Sequence, residues 1–211
     1  MEYKFDGEKV FFTSDTHFGH KNIIKYCNRP FKDTKEMNET IISNWNRVVD
    51  KDDIVFHLGD FGFGDPGKWA NILDRLNGKI YLVVGNHDPR SITEGCRDRF
   101  EEVAMQMYIE IGKRKIYLNH CPLLCYGGAD KDTWQLFGHV HSGPYSTNLD
   151  TPRLTMLYPT QYDVGVDNNN FTPVSYKEVR AIILKQIEEA KKMPGCRNDI
   201  SPTDTNQAKL P

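Results

Sequence analysis

The chain alternates short β-type runs with amphipathic helices, and each run breaks off in a turn carrying polar, chemistry-bearing side chains. Residues 9–14, 54–58 and 79–84 are β-branched or aromatic runs closed by turns that contain glycine or aspartate. Residues 115–119, 134–137 and 162–166 read as further strands. Between the early strands lie helices with legible ends. Asp33 to Glu36 has a capping-box sequence, followed at helical spacing by Met37, Ile41, Ile42, Trp45, Val48 and Val49. Asp65 and Pro66 supply a cap and a first-turn proline before Trp69, Ile72, Leu73 and Leu76, and Gly78 is the stop. A second box, Ser175 to Glu178, opens a helix with Val179, Ile182, Ile183, Ile187 and Ala190 on one face, ending at Pro194 and Gly195. Strand, helix, strand, helix, then mostly strands is the pattern of an α/β fold whose strand ends can carry chemistry.

At 211 residues the chain reads as one domain over residues 1–193, with a polar, proline-punctuated tail, 194–211, expected to be disordered. The 29 acidic and 27 basic side chains leave a formal charge of −2. That balance gives no basic field for holding long nucleic acid by counterion release. Mean hydropathy is −0.60, and apolar runs such as residues 81–84 are too short to span a bilayer. No apolar leader is visible at the N-terminus. The five cysteines include no CxxC pair, which argues against a disulfide framework or a zinc knuckle. A soluble protein of the reducing cytoplasm is expected.

The seven histidines carry the functional signal. None falls within the three amphipathic helices, and each sits at or just after a strand. Asp15-Thr16-His17 follows the first strand; residues two apart on an extended chain project to one side, so carboxylate and imidazole can share a target. Gly59-Asp60 follows the second strand and Gly85-Asn86-His87-Asp88 the third. His120-Cys121-Pro122 and Gly138-His139-Val140-His141 follow the fourth and fifth. Carboxylate, amide and imidazole donors without thiolates suit Mn, Fe, Zn, Co or Ni. The donors suffice for two ions with a bridging carboxylate. Such pairs, roughly 3.5–4 Å apart, clamp the attacking and leaving oxygens of an in-line displacement.

The blocks Asp15-x-His17, Gly59-Asp60, Gly85-Asn86-His87-Asp88, His120-x-Pro122 and Gly138-His139-x-His141 resemble, in order and spacing, those of the calcineurin-like metallophosphoesterase superfamily. The segment from Asp163 to Asp167 and the helix start at Pro173 to Ser175 are similar to those of its small single-domain prokaryotic and phage members. The resemblance implies a four-layer α/β/β/α sandwich of two mixed sheets flanked by helices, with the metal site at the C-terminal strand edge. It implies that Asp15, His17 and His141 hold one ion, that Asn86, His120 and His139 hold the other, and that Asp60 bridges them. His87 would lie beside the phosphate and stabilise charge or protonate the leaving oxygen, with Asp88 orienting its ring.

Asn86, His87, His20 and Arg90 are the candidate substrate contacts. For His20 a helix-start role weighs equally, and for Arg90 an exposed ion pair is the ordinary alternative. His57 reads as buried support, and Tyr26, Arg29 and Phe31 as packing. The function expected is a binuclear metal-dependent phosphoesterase, with manganese the first of its ions. A metal-bridging hydroxide would attack a phosphodiester or small nucleotide-type phosphate ester in line, diesters being favoured over monoesters. The alternative from another class is a catalytically weak metal-binding scaffold for protein contacts, which the intact His87 disfavours. No membrane and no long nucleic acid are expected as partners.

Overall fold

The computed structural model describes residues 3–90, 92, 94–131, 133–144 and 154–192. The tail expected from residue 194 onward lies outside them, as does the middle of the loop expected before residue 161. Along the chain, β1 (Tyr3–Phe5) and β2 (Val10–Thr13) precede helices α1 (Lys21–Tyr26) and α2 (Thr34–Val48). Next come β3 (Ile54–His57), α3 (Pro66–Leu73), β4 (Lys79–Val83) and α4 (Glu94–Arg97). Strands β5 (Glu102–Ala104), β6 (Gln106–Ile111), β7 (Arg114–Asn119) and β8 (Trp134–Phe137) follow. The chain then forms β9 (Gln161–Asp163), β10 (Val174–Ser175) and α5 (Tyr176–Lys192).

The strands form two five-stranded mixed sheets, ordered β10-β2-β3-β4-β5 and β1-β6-β7-β8-β9. In the first, β2 to β5 are parallel and only β10 runs antiparallel. Its strands are buried on both faces, so they are almost continuously apolar rather than alternating. Val10, Phe12, Phe56 and Val83 face the second sheet, whose inner face supplies Met107, Ile109, Ile116, Leu118 and Leu136. Phe12, Phe56 and Tyr81 stand in register across three strands, with Phe56 ring centroids 5.7 Å from Phe12 and 5.1 Å from Tyr81.

On the other face of the first sheet, Val55, Ile80 and Leu82 meet Met37, Ile41 and Trp45 of α2 and Trp69 of α3. The caps read from the sequence are formed. The Asp33 carboxylate accepts from Glu36 N–H at 2.9 Å, and that of Asp65 from Lys68 N–H at 3.1 Å. Glu178 N–H donates to Ser175 Oγ while the Glu178 carboxylate takes the Ser175 N–H. Helix α5 buries Val179 and Ile183 against the inter-sheet core, packing on the edge strands β10 and β9 and on β2. The rings of Tyr108, Tyr117 and Tyr126 touch in succession, tilted and then edge-on, on the outer side of the second sheet. The α/β arrangement of two mixed sheets with flanking helices is the one the resemblance implies.

The strand read over 162–166 is shorter in the structure. The Asp163 carboxylate accepts the Gly165 N–H at 2.8 Å, which bends the chain so that Gly165 bridges Ser14 at the end of β2. The two sheets are thereby joined at one edge.

Candidate metal centre

Strand β2 stops at Thr13, and the backbone turns left-handed at Asp15 (φ 57°) and His17 (φ 48°). The extended-chain argument for this pair is therefore corrected: left-handed turns, not a pleat, aim the two side chains. The same holds at His139 (φ 71°) and His141 (φ 46°), and Asp60 (φ 55°) follows suit. Among the described residues, five of the eight non-glycine positions with positive φ are candidate ligands. Such backbone costs an ordinary residue about 1–3 kcal/mol and persists where the surroundings over-determine it.

The surroundings do so here. Asp15 N–H donates to Gly59 O and His17 N–H to Asp60 O, at 2.9 and 3.0 Å. His139 N–H donates to Asp15 Oδ2 at 2.8 Å, across the gap between the sheets. A methyl group on Gly138 would strike Ser14 and the Asp15 carboxylate, and one on Gly85 would strike Asp60. These glycines are needed for close approach.

Beside a group made of Cys27, His141 and Asp167, two groups of candidate ligands each bring their ligand atoms within 4.8 Å of one another: Asp15, His17 and His141, and Asp60, His120 and His139. Asp60 lies between them. Its Oδ2 is 3.6 Å from His17 Nε2 and 3.5 Å from His120 Nε2, while Oδ1 accepts the His87 N–H at 2.9 Å. Asp15 Oδ1 is 3.9 Å from His17 Nε2 and 3.8 Å from His141 Nε2. Asn86 Oδ1 is 3.0 Å from His120 Nε2. The His120 Nδ1–H donates to Leu58 O at 2.7 Å, which turns Nε2 toward the cluster.

Asp15 Oδ1 and both nitrogens of the buried His17 ring have no hydrogen-bond partner among the described residues. In proteins generally, buried polar atoms are paired almost without exception, so three orphaned atoms in one cluster fit a bound cation, and the donor set suits a divalent transition ion. The titration behaviour agrees. Burial, then the neighbouring His141, holds the His17 imidazole well below its ordinary value, so its lone pairs are available. Burial opposes charge on His120, but the Asp60 hydrogen bond and the charges of Asp15 and Asp60 outweigh it and raise the ring to about 9. His141 is similarly raised to about 11: burial opposes, but the charge of Asp15 and the Asp167 hydrogen bond prevail.

The remaining candidates separate by position. His87 is at the rim, its side chain 45% exposed and its Nε2 3.9 Å from Asp60 Oδ2. Asp88 is fully buried and does not reach toward the His87 ring. Its oxygens accept the N–H groups of Gly85, Asp60 and Phe61 at 2.8–2.9 Å, because the turn points the side chain back beneath the Asp60 loop. Burial pushes its carboxyl up to about 6 despite these bonds. His20 is the N-cap residue of α1 without a capping hydrogen bond, and its ring stacks on Phe63 at 3.9 Å. The Arg90 side chain lies outside the described residues. His57 is buried support: its ring contacts Thr16 Oγ1 at 2.9 Å and accepts the Gly59 N–H.

Two residues outside the sequence assignments complete the cluster. Asp167 Oδ2 is 2.8 Å from His141 Nδ1 and fixes which nitrogen faces Asp15. Arg29, 3% exposed, binds both Asp167 oxygens at 2.8 Å and also donates to the carbonyls of Asp15 and Thr16. The available signal was an aspartate closing the apolar run Val164-Gly165-Val166, since a charge buried there requires a partner.

The calcineurin-like phosphoesterase model matches residues 8–167, and the chain belongs to that family, whose members are metal-dependent phosphoester hydrolases. It is 37% identical over 185 residues to an uncharacterized protein of Methanocaldococcus jannaschii, covering 87% of this chain and 93% of that one. It is 29% identical over 161 residues to the Gene 66 protein of Mycobacterium phage L5, covering 63% and 77%. Among solved structures it resembles a protein of unknown function from Aquifex aeolicus, with a TM-score of 0.64 and 27% identity over 82% of this chain and 98% of that one. Among the described residues no helix is long and apolar enough to cross a membrane.

Proposed function

We propose that the chain is a binuclear metal-dependent phosphoesterase of the cytoplasm that hydrolyses a phosphodiester or a small nucleotide-type phosphate ester. The observation that carries this reading is the pair of three-residue clusters, with Asp60 Oδ2 of one 3.6 Å from His17 Nε2 of the other. Asp15, His17 and His141 would hold one ion, Asn86, His120 and His139 the other, and Asp60 would bridge. Two divalent ions, manganese first among them, would supply Lewis acidity toward the phosphoryl oxygens and lower the pKa of an attacking water for in-line displacement.

The chain's own residues do the rest. Asp15, fixed by the His139 N–H, and Asp60, fixed by the His87 N–H, keep the anionic floor of the site rigid. His87 at the rim meets the substrate's phosphoryl oxygens and donates a proton to the leaving oxygen. The exposed Asn86 and His87 leave the phosphorus approachable from solvent, which favours a diester over a fully enclosed monoester.

The test is hydrolysis by metal-stripped protein resupplied with Mn²⁺, with bis-p-nitrophenyl phosphate and p-nitrophenyl phosphate compared side by side. Turnover should require the metal, favour the diester and vanish in Asp60→Asn. His87→Ala should retain two ions per chain while kcat falls by about 10²–10⁴. Fewer than two bound ions in the wild type, or no metal-dependent turnover of either ester, would overturn the reading.

A further inference from the structure

The walls of the site differ in character on its two flanks. On one, Phe63 stacks on both His17 and His20, and His87 meets the His17 ring edge-on. On the other, a cleft of about 470 Å³ opens directly beside His139. Its walls are built from the loops that carry the candidate ligands: Pro122 and Leu124 come just after His120, and Val140 follows His139. Leu154, Met156 and Leu157 close it from the segment before β9. No carboxylate, lysine or arginine lines it.

Two of the six large apolar side chains left exposed among the described residues lie in this cleft, Leu124 at 64% and Met156 at 65%. Leaving such groups in water is unfavourable in proportion to their area, and clustered exposure of this kind marks binding surfaces. The volume falls within the ordinary range for small-molecule sites, about 300–1,000 Å³. His139 belongs to both the cleft and the Asp60-His120-His139 cluster. A phosphoryl group held at that cluster therefore has one substituent adjoining the apolar walls.

We propose that this cleft seats an uncharged apolar ester substituent of the substrate, so that the ester hydrolysed carries an aryl or alkyl group on one oxygen. The proposal rests on the phosphoesterase reading of the metal centre and narrows its substrate class. A sugar or a second phosphate in the cleft would lose its hydration without gaining ion-pairing or hydrogen-bonding partners, because the walls offer almost none. The thioether of Met156 suits either occupant, packing against an alkyl chain or the edge of a ring.

Calorimetric titration of the full chain loaded with Mn²⁺ tests this without turnover. The ligands are methylphosphonate, butylphosphonate and phenylphosphonate, which share the anionic head and differ only in the apolar group. Butyl- or phenylphosphonate should bind at least about tenfold more tightly than methylphosphonate, as transfer of that much apolar area from water requires. In the double variant Leu124→Ser, Met156→Ser that advantage should collapse toward the methyl value. Equal affinity of all three ligands in the wild type overturns the cleft assignment alone. So does an advantage that survives in the double variant. Binding of none of the three overturns the phosphoryl site, and the cleft assignment with it.

Discussion

Asp167 decides which nitrogen of His141 faces the cluster. An imidazole has two nitrogens, and the carboxylate 2.8 Å from Nδ1 leaves Nε2 facing Asp15. Arg29 then holds Asp167 by two charge-assisted bonds and the carbonyls of Asp15 and Thr16 by two more. One buried guanidinium thus ties the left-handed Asp15 turn to the histidine arriving from the other sheet. Partners of this kind typically contribute 10–100-fold to metal affinity. Asp167→Asn should therefore weaken Mn²⁺ binding by about that factor, measured by competition with a chromogenic chelator; unchanged affinity would assign Asp167 to packing alone.

At this scale the sequence was most informative about the residues that cluster. Asp15, His17, Asp60, Asn86, His120, His139 and His141 all sit at strand ends, and their spacing already said so. What it hid was backbone conformation: Asp15 and His17 look extended in sequence because they follow a β-branched run, and only tertiary contacts reveal the turns. Arg29 looked like a packing residue because its partner lies far along the chain, and no local pattern joins them.

At the scale of elements, the ends of β3 and β4 are fastened by Asp88, whose carboxylate accepts backbone N–H groups from both loops. Its role is to hold the Asp60 turn. Asp88→Asn replaces one acceptor oxygen with a donor facing those N–H groups, so it should lower stability by about 1–3 kcal/mol, the usual cost of a buried unsatisfied group. Thermal melting and metal content together check it. Wild-type melting with both ions retained and turnover lost would return Asp88 to a role at the His87 ring. The helices with caps were legible because Asp33, Asp65 and Ser175 announce them locally. The strands β1, β5 and β10, two or three residues each, were not, since pairing alone defines them. Strand β6 did carry a signal, the alternation of Met107, Ile109 and Ile111, all buried on one face.

For the whole molecule, pH acts through buried groups of both signs: the raised His120, His141, Asp88 and Asp163 favour the folded state as pH falls, and His57 opposes it. Burial holds the His57 imidazole, between the first sheet and α2, down at about 3 from an ordinary 6.5. The folded state thus binds fewer protons there than the unfolded chain, so the contribution of this side chain is full above pH 6.5 and is lost as pH falls toward 3. Each unit of displacement is worth about 1.4 kcal/mol, so this one side chain withdraws several kcal/mol across that window. Denaturant titrations at pH 7 and pH 4.5 should therefore give His57→Gln a more favourable change in stability on acidification than the wild type. An identical change in the two proteins would remove His57 from the pH dependence.

The candidate ligands are drawn from both halves of the sandwich: Asp15, His17, Asp60 and Asn86 from the ends of β2, β3 and β4, and His120, His139 and His141 from the ends of β7 and β8. Ions held among them would rivet the two halves together at that edge, favouring the closed state by mass action. Metal supply would then govern lifetime as well as rate. Copies made under scarcity would be the ones whose halves part first, and so the first that a protease could open.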